Sequence, residues 1–83
     1  MNNTHRTNIL SGAPADATHA EVFDNGHTVE AIGYLKKLDG GWMEMHRDEW
    51  LSINSDRIGC YESIHCLDDL RAIVRLNHEV KEK

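Results

Sequence analysis

The side chains best suited to chemistry in this chain are Cys60, His65 and Cys66, with His46 and His78 as further imidazoles. Thiol and imidazole together suggest two chemistries, a zinc site or a cysteine nucleophile with a histidine base. Spacing argues against the metal. Structural zinc is held by paired, closely spaced knuckles, whereas Cys60-x4-His65-Cys66 supplies an adjacent His-Cys pair, a poor chelating geometry. The nucleophile reading has no more support, because no nucleophile motif surrounds either cysteine. Glu44, Asp48 and Glu49 stand where surface charges normally do, and Gly40-Gly41 serves a turn rather than a phosphate loop. His5, His19 and His27 are dispersed and read as solvated. The expectation is a protein without catalytic residues, metal or cofactor.

What those residues could do depends on the elements that carry them. Phe23-Asp24-Asn25-Gly26-His27-Thr28 and Leu38-Asp39-Gly40-Gly41-Trp42 are turn sequences set between apolar runs. Asn-Gly is the strongest short-range hairpin signal, since a type I′ turn needs positive φ at both central residues. Strands are therefore expected over 19–24, 27–38 and 42–46, with a short fourth over 49–53 after a turn at Arg47-Asp48. The segment 57–66 is ambiguous. From Leu67 the pattern becomes helical, with Leu67, Leu70, Ile73, Val74 and Val80 along one stripe. Asp68 and Asp69 in the first turn and Lys81 and Lys83 at the end match the helix dipole, with Ser63 or Cys66 as N-cap. Residues 1–18 lack sustained periodicity and read as a flexible arm joining one domain over 19–83 near Pro14. The fold class is α+β: an antiparallel meander of three or four strands with a C-terminal helix packed on one face.

Register decides which residues share a face. A two-residue Asn25-Gly26 loop pairs Val22 with Val29 and Ala20 with Ala31. A three-residue loop at Asp39-Gly40-Gly41 then pairs Leu35 with Met45 and Lys37 with Met43, whereas a two-residue loop sets Glu44 and His46 against the apolar row. The consistent choice collects Val22, Val29, Ala31, Leu35, Met43 and Met45 as core. It leaves Phe23, Ile32, Tyr34, Leu38 and Trp42 on a second face, with Tyr34 opposite His46. One helix covers one face of so small a sheet. The second is covered by the arm or the 54–66 segment, or else it is a binding surface with Phe23, Ile32, Tyr34, Trp42 and His46 as anchors.

Composition narrows the partners. The chain has 83 residues and a formal charge of −5, from 14 acidic against 9 basic side chains. That balance disfavours nucleic acid, which would have to be met through Arg6, Arg71 and Arg75. No apolar stretch approaches the length of a bilayer span, and the polar N-terminus is not a signal segment, so a cytoplasmic protein with reduced cysteines is expected. So small a core also leaves room for a homodimer, pairing through its exposed face or a sheet edge.

Pro14-Ala15-Asp16-Ala17-Thr18-His19 resembles the Pro-x-x-Ala-Thr-His lead-in of small uncharacterised accessory proteins of tailed bacteriophages and prophages. In those a short β-meander follows, with a glycine turn before a Trp-containing strand, and Asp39-Gly40-Gly41-Trp42 and Glu49-Trp50 match that outline. The resemblance covers residues 14–53. It implies a phage protein in a bacterial cytoplasm that binds and blocks a host protein, such as a CRISPR or restriction effector or the transcription machinery. It brings no catalytic residues. The alternative is a homodimeric structural or regulatory module.

Overall fold

The chain opens with a helix, α1 (Asn3–Ser11), where a flexible arm was expected. Its start is a reciprocal cap. The Asn2 side chain accepts from the His5 N–H at 2.9 Å, and the Asn2 N–H donates to His5 Nδ1 at 3.4 Å. At the other end the Gly12 N–H donates to the Asn8 carbonyl at 3.3 Å. Only one short apolar pair, Ile9-Leu10, faces inward, which is why no periodicity announces this helix; Ile9 is nevertheless among the most deeply buried side chains. The computed structural model describes residues 1–61 and 63–81, with side chains up to Asn77 apart from Glu62.

Five strands follow: β1 (His19–Asp24), β2 (Val29–Leu38), β3 (Gly41–His46), β4 (Glu49–Ile53) and β5 (Ile64–Cys66). They form one antiparallel sheet in the order β4-β3-β2-β1-β5. The fold is thus α+β, a four-stranded meander extended by a fifth strand beside β1. A short helix, α2 (Ser55–Ile58), lies in the crossover from β4 to β5, and α3 (Leu67–Lys81) starts directly after β5. That start places Cys66, not Ser63, next to the helix. The side chains of His78, Val80, Lys81 and Lys83 lie outside the described ones.

Two loop lengths differ from expectation, and a bulge reconciles them. The β1–β2 connection holds four residues, because Asp24 pairs with Val29. Asn25 explains this: its side chain accepts from the N–H groups of both His27 (2.9 Å) and Thr28 (2.7 Å), closing a wider loop, with Gly26 at φ 90°. Val22 therefore pairs with Ala31 rather than Val29. A β-bulge then inserts Ile32 opposite the Glu21/Val22 step, so that Ala20 pairs with Tyr34 and His19 with Leu35. The β2–β3 loop has two residues, since Leu38 pairs with Gly41, Lys36 with Met43 and Leu35 with Glu44. The extra bulge residue flips the parity of the rest of β2, and the shorter loop flips it back for β3. Met43 and Met45 thus stay on the expected core side while Tyr34 and Leu35 exchange faces. A second two-residue turn, at the expected Arg47-Asp48, has positive φ at both residues (49° and 68°) and no glycine.

Helices α1 and α3 pack on the same face. Ile9, Ala17, Ala20, Val22, Leu67 and Leu70 form the core, with Met1, Leu10, Ala13, Val29, Ala31, Tyr34 and Trp50 half-buried against it. Asn77 Nδ2 donates to Asn3 Oδ1 at 2.9 Å and ties the two helices together.

Candidate functional site

The opposite face carries the polar and aromatic side chains from which a site can be built. Paired residues share a face, so three cross-strand rows can be read along it. One runs Cys66, His19, Leu35, Glu44, Leu51; a second runs Ile64, Glu21, Gly33; a third runs Lys37, Trp42, Ile53. The crossover from β4 to β5 passes over part of this surface. Its anchor is Tyr61, whose hydroxyl donates to Glu44 Oε1 at 2.5 Å. Leu35, in the same row as Glu44, is fully buried although it lies outside the helix-side cluster.

Beside Tyr61 the charge is concentrated. His46 Nε2 lies 3.5 Å from the same Glu44 oxygen. A Cβ on Gly33 would come within 3.3 Å of Glu44 Oε2 and 3.8 Å of Glu21 Oε1, so the glycine leaves room for two carboxylates to converge. Burial, the hydrogen bond to Glu44 and its negative charge push the Tyr61 phenol up to about 12, with Arg57 opposing and Glu21 assisting. The folded state therefore holds this proton more tightly than the unfolded chain, whose tyrosine titrates near 10.0. Its contribution to stability is complete below pH 10 and is lost as pH rises through 12. Urea unfolding at stepped alkaline pH is expected to show the wild type falling toward Tyr61→Phe across that window. Curves that stay parallel would remove Tyr61 as the anchor.

The remaining aromatic group forms around Trp42. The His19 ring meets it edge-on at 5.0 Å between centroids, and Lys37 Nζ lies 5.6 Å from the indole centroid. Thr18 organises this corner: its hydroxyl oxygen accepts from the Lys37 N–H at 2.8 Å and lies 2.8 Å from His19 Nδ1. Burial, then the Lys37 charge, lowers the His19 pKa, so the imidazole against Trp42 is neutral at pH 7. A shallow hollow of about 220 Å³ opens at the β2–β3 loop end of the sheet, lined by Trp42 and Ile53 of this face and by Leu38, Met43 and Ser52 of the other.

The five anchors expected from the sequence do not form one patch. Trp42 and His46 share strand β3 and this face, four residues apart. Phe23 shares the face but lies four residues along β1 from His19, about 13 Å at ~3.3 Å per residue. Ile32 sits in the bulge, half exposed. Tyr34 is on the helix side, where its hydroxyl donates to the Ile9 carbonyl at 2.6 Å and satisfies one of the free acceptors in the last turn of α1. Tyr34 thus clamps α1 to the sheet, on the side opposite Trp42. Sequence reading named none of His19, Lys37, Leu51 and Tyr61 as anchors; of these the bulged register brings Lys37 to this face and the crossover brings Tyr61.

The cysteines and histidines considered for chemistry are separated. Cys60 is exposed beyond α2, Cys66 is half-buried on the Trp42 side, and His65 points to the other side, where its Nε2 meets Ser63 Oγ at 2.9 Å. Among the described residues no group of three or more His, Cys, Asp or Glu is arranged to hold a metal ion. No helix among them is long and apolar enough to cross a membrane. Comparison with known protein families, curated proteins and solved structures returns no match.

Proposed function

We propose that this chain is a non-enzymatic protein of the phage accessory type, which binds a bacterial host protein in the cytoplasm and blocks it sterically. The reading rests on the open part of the sheet face. There Trp42, framed by His19 and Lys37, lies in the row of Ile53, and Leu51 beside them is 46% exposed. A tryptophan held by its neighbours, with aliphatic groups around it, is the chemistry of a protein-binding anchor. Its position is preset by the Thr18 hydrogen bonds, so little side-chain freedom is lost on docking. Blocking by occupation needs no reacting group. The phage resemblance of residues 14–53 supplies the class of target: a host-defence effector, CRISPR or restriction, or the transcription machinery.

The test is capture from bacterial lysate by the tagged chain in three forms: wild type, Trp42→Ala, and Leu76→Ala on the outer side of α3. Circular dichroism first confirms that all three fold. A host protein is expected to be retained by wild type and Leu76→Ala. Trp42→Ala is expected to lose roughly thirtyfold in affinity, the effect of removing a hot-spot residue worth about 2 kcal/mol. Equal retention by Trp42→Ala would overturn the assignment of this face.

A further inference from the structure

We propose that strand β4 is a pairing edge for a second copy of this chain, joining two five-stranded sheets across a two-fold axis at Leu51. Strand β4 ends the sheet order, and among the described residues no strand lies on its outer side. Its outward backbone groups are therefore free to pair. Natural edges are commonly blocked by proline, lysine, a bulge or extreme shortness. Glu49-Trp50-Leu51-Ser52-Ile53 has no proline or lysine, and it keeps an unbroken five-residue register with β3. The other edge is different. Strand β5 has three residues and runs directly into α3, which leaves little backbone to extend.

The occupant follows from the residue pairs. An antiparallel two-fold centred on Leu51 sets Leu51 against its own copy, Trp50 against Ser52 and Glu49 against Ile53, each pair occurring twice except the central one. No like charges face each other, so the edge is self-complementary, as an isologous interface requires. The pairing would cover Leu51, which is 46% exposed in the single chain. It also sets a serine beside the Trp50 ring, over which Lys36 Nζ already sits at 4.8 Å. The charged turn Arg47-Asp48 lies outside the paired segment and limits its length to these five residues. One short strand pair buries less than the roughly 1,200 Å² of a stable interface, so the association is weak and concentration-dependent.

Sedimentation velocity of the full chain from low micromolar to near-millimolar concentration tests this. The mass is expected to rise from 9.5 kDa toward twice that value. Leu51→Arg and Leu51→Glu, each alone, are expected to remain monomeric at every concentration, because like charges then meet on the axis. An equimolar mixture of the two is expected to recover the dimer, which also shows that both variants fold. A monomeric wild type throughout, unchanged association in Leu51→Arg, or a mixture that stays monomeric would each overturn the proposal.

Discussion

Ile9→Ala is expected to lower the unfolding free energy by about 3 kcal/mol, the usual cost of emptying a filled aliphatic site. Ile9 is 2% exposed and belongs to the same cluster as Leu67 and Leu70 of α3 and Ala20 and Val22 of β1. For a small domain whose total stability is roughly 5 kcal/mol, that is most of what holds it folded. Thr7→Ala, exposed on the same helix, is expected to stay within about 0.5 kcal/mol. Urea unfolding of the three proteins checks this. An Ile9→Ala midpoint equal to that of Thr7→Ala would return residues 3–11 to the role of a loose arm.

The second large effect separates two leucines in one cross-strand row. Leu35→Ala is expected to cost about 3 kcal/mol, while Leu51→Ala stays within about 0.5 kcal/mol. Leu35 lies on the side of the sheet away from α1 and α3, yet it is fully buried, and the crossover fixed by Tyr61 is what passes over that side. Leu51, beyond Glu44 in the same row, is 46% exposed. The contrast maps where cover ends and open face begins. Similar costs at both positions, by the same unfolding assay, would mean that the crossover protects the whole face or none of it.

The elements with strong local signals were legible in the sequence. The α3 start at Leu67, the four meander strands and the α+β class all follow from periodicity and turn residues, which act within a few positions of each other. Register was less legible. Asn25 can close either a two-residue turn or a wider loop, and its side-chain bonds to His27 and Thr28 favour the wider one. The bulge at Ile32 has no glycine or proline of its own to announce it, although Gly33 follows directly. Helix α1 is capped by an Asn and His pair and faces the core through little more than Ile9, so its stability comes from tertiary packing. These long-range effects moved Tyr34 to the core side and Leu35 to the far side. The expected aromatic patch was accordingly split, and Trp42 gained His19 and Lys37 as neighbours.

The open face is tested most directly by hydrogen exchange on the complex with the captured host protein, read peptide by peptide against the free chain. Amides of residues 41–53, which carry Trp42 and Leu51, are expected to slow strongly, with α1 and α3 unchanged. Protection confined to α1 or α3, or no host protein retained in the first place, would contradict the assignment.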